Sequence, residues 1–253
     1  MTSPILVTGG TGNLGSHVVP LLRAAGRDVR ILARTPRNNT EGIEFFSVDL
    51  MKDEGIDAAL TGVETVLHLA GGTKGDDKVT QNLVTASKRA GVKHLVYISV
   101  IGADTMPLGW FKTQLDAENA VTQSGIPWTM LRAAQFHDIV LTMGEKMSKM
   151  PVIPAPGGLQ FQPVDSREVA ARLVELTLGT PAGRVKDIAG PKVYPLGDLL
   201  RSYLHATGKK RPLLPIRMPG KAGKAYRAGD NLALTGTQVG KGTWEEFLAE
   251  RVS

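Results

Sequence analysis

Three glycines, Gly9, Gly12 and Gly15, follow the apolar run Pro4-Ile5-Leu6-Val7-Thr8 and precede a helical pattern carrying Val18, Val19, Leu21 and Leu22. Strand, glycines and helix in that order suit a pyrophosphate. The first glycine permits a tight turn, the second lets backbone approach the phosphates, and the third allows close helix–strand packing. The N–H groups that open a helix lack intrahelical acceptors and form the positive end of its dipole. Thr8, Gly9, Thr11, Gly12, Asn13, Leu14 and Gly15 are therefore read as the cradle of a dinucleotide. Gly26 is placed to cap the helix, and Val29-Arg30-Ile31-Leu32 supplies a second strand, which completes a βαβ unit.

The end of that second strand selects the dinucleotide. A carboxylate there accepts hydrogen bonds from the ribose 2′-OH of NAD, whereas the 2′-phosphate of NADP needs a cation. The tip reads Leu32-Ala33-Arg34-Thr35-Pro36-Arg37, with no acid. Arg34 can pair with a phosphate through two N–H groups and stack on adenine, and Arg37 adds charge, so NADP(H) is the expected cofactor. Further along, a third strand over Ile43–Val48 ends at Asp49 and Leu50, a fourth over Val63–Leu69 ends in Ala70-Gly71-Gly72, and a fifth from His94 delivers Ser99. Small residues at such strand ends let a cofactor lie close to the backbone, so these positions are assigned to the cofactor floor as well.

Apolar runs alternating with helical patterns predict a doubly wound parallel sheet of Rossmann type with a smaller C-terminal substrate lobe. Helices are expected over 57–60, through Gln81, Asn82, Val84 and Ala86 to Gly91, and over 109–123, with a strand at 127–132. The division expected is 1–132 for the dinucleotide-binding core and 133–253 for a substrate lobe interleaved with it in one continuous domain. Residues 133–163 read as a helix followed by loops, where Met143, Met147 and Met150 sit at helical spacing. Beyond them, Asp165 with Glu168 and Thr243 with Glu246 each form a capping pattern at the start of a helix. Between those helices come strands near 185–188 and 213–218 and a helix around 199–206.

Composition narrows the function classes. The 253 residues contain no cysteine, which excludes disulfides, thiolate nucleophiles and cysteine-based zinc sites, and the five histidines lack metal-ligand spacing, so no metal is expected. His68, His94 and His137 are read as structural. No charged leader precedes a long apolar run, and no membrane segment is expected, so the cytoplasm is the expected location. The net charge is +6, and residues 184–227 hold eleven cations against two acids. Those cations are dispersed and carry no nucleic-acid motif, so nucleic acid is not expected; the segment reads as a solvated surface, with a protein partner as the alternative.

Together with the glycine motif and Arg34, the runs Val66-Leu67-His68-Leu69-Ala70-Gly71-Gly72, Ser99 before Gly102-Ala103, and Pro127-Trp128-Thr129-Met130-Leu131-Arg132-Ala133-Ala134-Gln135-Phe136 make the chain resemble an atypical short-chain dehydrogenase/reductase of the NmrA-like group. It is similar to the NADPH-dependent quinone and triphenylmethane reductases of that group over nearly its whole length. The resemblance implies a catalytic tyrosine with a lysine four residues later, and those places hold Trp110 and Gln114, neither of which does acid–base work. Lys112 lies off that face.

That gap restricts the reaction. Hydride delivery to an aliphatic ketone makes an alkoxide whose conjugate acid has a pKa near that of water, about 15.7, whereas a quinone gives a phenol-like oxyanion near about 10. The difference is roughly 6 units, or about 8 kcal/mol. A small quinone-like or conjugated acceptor therefore tolerates a missing acid best, with Ser99, Asn82 or Gln135 donating hydrogen bonds and solvent completing protonation. The alternative is a non-catalytic NADP(H)-sensing regulator.

Overall fold

A computed structural model describes residues 2–52, 54–72, 75–233 and 235–252. The chain runs β1 (Ile5–Thr8), α1 (Asn13–Ala24), β2 (Val29–Ala33), β3 (Ile43–Ser47), α2 (Ile56–Leu60), β4 (Thr65–His68), α3 (Asp76–Arg89), β5 (His94–Val100), α4 (Gly109–Thr122) and β6 (Trp128–Ala133). It continues through α5 (His137–Met147), β7 (Ile153–Pro156), β8 (Gln160–Phe161), α6 (Ser166–Leu178), β9 (Gly183–Arg184), β10 (Ile188–Ala189) and β11 (Tyr194–Pro195). Last come α7 (Leu196–Ala206), β12 (Leu213–Ile216), α8 (Gly220–Ala228), β13 (Gln238–Val239) and α9 (Trp244–Arg251).

Two compact units share these elements. One comprises Met1–Ser99, Lys112–Leu131 and Val169–Val185, and the other Val100–Phe111, Arg132–Glu168 and Lys186–Ser253. In the first, the sheet order is β6-β5-β4-β1-β2-β3, with β9 beside β6. The pairs β1/β2, β1/β4, β2/β3 and β4/β5 are all parallel. Every residue of β1 is buried, as a central parallel strand covered on both faces requires. Strand order reverses between β1 and β4, and the crevice beyond the carboxyl ends of strands at such a switch point is where ligands of open α/β sheets bind. Leu6, Leu60, Val66, Leu83, Leu95, Val121 and Met130 are buried together in one core cluster of this unit.

The second unit has its own core, built from α5, α7, α9 and the strands near them, including Val140, Ile153, Leu199, Tyr203, Trp244 and Phe247. Met143 and Met147 pack against it, so their helical spacing reflects core packing. Residues 133–163 are more regular than their sequence implies. β7 pairs in parallel with β12, and β8 pairs antiparallel with β11. Pro154 and Pro156 conceal β7, because proline lacks a ladder donor and is tolerated only where a strand has an unpaired side. α8, with the sequence GKAGKAYRA, was hidden by its two glycines. Gly223 has a packing reason, since a Cβ there would lie 2.0 Å from the Met218 carbonyl oxygen.

Candidate cofactor cradle and redox site

The three motif glycines serve different ends. Gly9 has φ +69°, and a Cβ on it would lie 2.8 Å from the Ala70 nitrogen. At Gly15 a Cβ would come within 2.3 Å of the Gly9 carbonyl oxygen. Both are thus required by the protein's own packing. Gly12 is different: its added Cβ would meet only the Gly9 oxygen, at 3.3 Å. Gly12 also caps α1 with extended backbone and no side-chain cap, so the first-turn N–H groups are left for an incoming acceptor. Its N–H donates to the Gly9 carbonyl at 3.0 Å and closes the turn. Thr11, Gly12 and Asn13 are exposed, whereas Leu14 and Gly15 are buried. The residues present therefore fit a pyrophosphate, and the bare surface at Gly12 is the opening a phosphate would use.

Arg34 and Arg37 are exposed just past the end of β2. Beyond β3, the Asp49 carboxylate accepts from the Met51 N–H at 3.0 Å, and Leu50 is buried in the core. Asn82 on α3 donates through its side-chain amide to the Leu50 carbonyl at 2.7 Å and the Met51 carbonyl at 3.4 Å. Its amide hydrogens thus hold the turn after β3, a positioning task that differs from donation to an acceptor molecule.

Ala70, Gly71 and Gly72 follow β4, and a Cβ on either glycine would find only ordinary contact with the Asp76 carboxylate, at 3.6 and 3.7 Å. The backbone here is held from below. Thr8 Oγ1 accepts from the N–H groups of Leu69 at 3.2 Å and Ala70 at 3.1 Å. That same oxygen lies 2.6 Å from His68 Nδ1, and His68 Nε2 lies 2.9 Å from Thr80 Oγ1. The His68 ring stands 5.3 Å from that of Tyr97, whose hydroxyl donates to Gln114 Oε1 at 3.2 Å. Gln114 Nε2 donates to the Asp76 carboxylate, which also accepts the Gly72 N–H at 2.7 Å. Burial lowers the His68 pKa to about 4 and pushes those of Tyr97 and Asp76 up, Tyr97 well above the ordinary phenol range.

Trp110 and Gln114 share α4 but not an environment. Trp110 is 40% exposed and packs its edge on Phe111, while Gln114 is 6% exposed with its amide committed to Tyr97 and Asp76. Lys112 is exposed. Ser99, at the end of β5, is buried, and its hydroxyl has no hydrogen-bond partner among the described residues. Its edge of the sheet also carries Gly9, Arg34 and Ala70–Gly72, because β5, β4, β1 and β2 run parallel. In the second unit, Gln135 follows β6 with a buried, unpartnered Oε1. His137 is fully buried against the rings of Trp244 and Phe247, and burial lowers its pKa.

Sequence reasoning missed Asp76, Thr80 and Tyr97. Asp76-Asp77 reads as an acidic pair favouring a helix N-terminus, and Tyr97 reads as a core strand residue. One signal was available: an acid four residues after a Gly-Gly pair at a strand end.

Comparison with known proteins agrees with this geometry. The profile of the NAD(P)H-binding family matches residues 9–176. A (4-alkanoyl-5-oxo-2,5-dihydrofuran-3-yl)methyl phosphate reductase of Streptomyces griseus is 35% identical over 196 residues, covering 74% of this chain and 68% of that protein. Quinone oxidoreductase 2 of Escherichia coli is 28% identical over 217 residues, covering 81% of this chain and 75% of that protein. The crystal structure of an NADPH-dependent quinone oxidoreductase from Escherichia coli, complexed with NADPH, superimposes with a TM-score of 0.82 at 21% identity, over 97% of this chain and 99% of that one.

Proposed function

The chain belongs to the NAD(P)H-binding family, and from that premise we propose that it is an NADPH-dependent oxidoreductase acting on a small quinone-like or otherwise conjugated acceptor. Relatives named as reductases of a quinone and of an oxo-dihydrofuran support this over a regulator that binds NADP(H) without turnover. One observation carries the choice of acceptor: the glycine cradle is intact, while Gln114, where a lysine is implied, is buried and already committed to Tyr97 and Asp76.

Bound NADPH would supply a hydride. The protein's part is to hold and orient: the first turn of α1 and Gly12 receive the pyrophosphate, Arg34 and Arg37 offer cations to the 2′-phosphate, and Ala70–Gly72 give a side-chain-free floor. Of the candidates Ser99, Asn82 and Gln135, Ser99 and Gln135 each keep a buried atom without a partner among the described residues, and Ser99 can serve as a donor to a developing oxyanion. With Trp110 and Gln114 at the two places on α4 where a tyrosine and a lysine are implied, protons come from water, which suffices when the reduced acceptor is a weak base of pKa about 10. Within the basic stretch 184–227, Lys192 pairs with Glu245, Arg201 with Asp198, and Arg211 donates to the Ser148 carbonyl.

The test uses saturating NADPH and two acceptors of similar size, a benzoquinone and an aliphatic ketone. Quinone reduction should exceed ketone reduction by several orders of magnitude, as a term of about 8 kcal/mol permits. Efficient ketone reduction with quinones untouched would exclude the proposal.

A further inference from the structure

Two hydrogen-bonded chains lie beneath Ala70–Gly72, and donor counting fixes their direction. Thr8 Oγ1 accepts two backbone N–H groups, so its own hydrogen goes to His68 Nδ1. His68 is neutral, so the remaining ring proton sits on Nε2 and is donated to Thr80 Oγ1. In the second chain Tyr97, whose ring stands 5.3 Å from that of His68, donates to Gln114 Oε1, and Gln114 Nε2 donates to Asp76. That chain ends on a carboxylate, which also accepts from Gly72. Aligned hydrogen bonds reinforce one another, and a charged acceptor at the end strengthens the last of them. One chain therefore ties the Leu69–Ala70 end of this segment and the other its Gly72 end. Gln114 is the linchpin of the second: its amide both accepts from Tyr97 and donates to Asp76.

We propose that Gln114 is a positioning residue that holds the Asp76 carboxylate against the Gly72 N–H and so fixes the loop Leu69–Gly72 in the shape that receives the cofactor. The inference rests on the assignment of Ala70–Gly72 to the cofactor floor. Without the Gln114 amide, Asp76 loses a buried donor and Tyr97 loses its acceptor, so the carboxylate that takes the Gly72 N–H is held less firmly.

Amide hydrogen exchange over residues 69–72 of the cofactor-free protein tests the anchoring, and a fluorescence titration with NADPH tests its consequence. Gln114→Leu should speed exchange at Gly72 by about tenfold and weaken NADPH by a similar factor, with the preference for NADPH over NADH unchanged. Gln114→Lys restores a donor to Asp76 and should exchange within about threefold of the native chain. Tyr97→Phe removes only a hydroxyl, folds more readily than the leucine variant, and should give an intermediate rise of about threefold. Unchanged exchange at Gly72 in Gln114→Leu or Tyr97→Phe would overturn the anchoring, as would equal loosening by Gln114→Leu and Gln114→Lys. Faster exchange with native NADPH affinity would overturn the proposal differently, by removing the loop from the cofactor site.

Discussion

Gly12 and Gly15 separate ligand binding from folding. Gly15→Ala forces a Cβ to 2.3 Å from the Gly9 oxygen and 2.5 Å from Gly10 backbone, so it should destabilise the fold by several kcal/mol, read as a lower unfolding midpoint. Gly12→Ala meets one oxygen at 3.3 Å and should leave the midpoint nearly unchanged, while weakening NADPH at least about tenfold in an equilibrium titration. A large loss of stability in Gly12→Ala would mean that packing, and no ligand, explains that glycine. At the other end of the cofactor, Arg34→Asp should weaken NADPH far more than NADH, because stacking on adenine is common to both whereas pairing with the 2′-phosphate is open to NADPH alone; equal weakening of both would remove Arg34 from that contact. These residues were legible because they lie in one short stretch of chain where strand, turn and helix meet. The Asp76–Gln114–Tyr97 contacts were not, since 38 and 17 residues separate the partners and only the sheet order brings them together.

Among the elements, legibility followed periodicity. β1, β2 and β5 are runs of apolar residues buried on both faces, and α1 carries Val18, Val19 and Leu22 on its buried face, so each announces itself. β7 and α8 were obscured by prolines and glycines whose reasons lie elsewhere in the fold. The two capping patterns show how sequence can suggest a motif that only contacts decide. Thr243 and Glu246 form a reciprocal capping box at α9, with the Thr243 oxygen accepting from the Glu246 N–H at 3.3 Å and Glu246 accepting from the Thr243 N–H at 2.8 Å. Asp165 accepts from the Arg167 N–H at 2.8 Å, but Glu168 turns away to accept from the Lys241 N–H at 2.7 Å, so α6 has a cap without the return bond. Thr243→Ala should therefore cost about 1 kcal/mol in a denaturant titration, because two N–H partners of α9 are lost or weakened together.

For the molecule as a whole, buried histidines set the response to acid. His68 titrates near 6.5 when unfolded and at about 4 in the fold, because burial disfavours its charged form. Between those values the unfolded chain binds more protons, so stability is greatest above 6.5 and falls as pH drops towards 4. At pH 5 this amounts to about 2 kcal/mol from His68 alone. His94 and His137 are lowered by burial too and add to the same slope. Asp165 and Glu245, held below the usual carboxylate range by Arg167 and by Tyr194 with Lys192, extend the loss to lower pH. Asp76 opposes it: burial raises its pKa, so on acidification the folded state takes up that proton before the unfolded chain does, which favours folding. Urea unfolding at steps between pH 7 and pH 5 should thus give a stability that declines on acidification. His68→Gln should make that decline shallower by about 2 kcal/mol over the interval, whatever it does to stability at pH 7. An equally steep decline in the variant would mean that His68 carries a proton in the folded state, which would reverse the Thr8–His68 hydrogen bond while leaving Nε2 donating to Thr80.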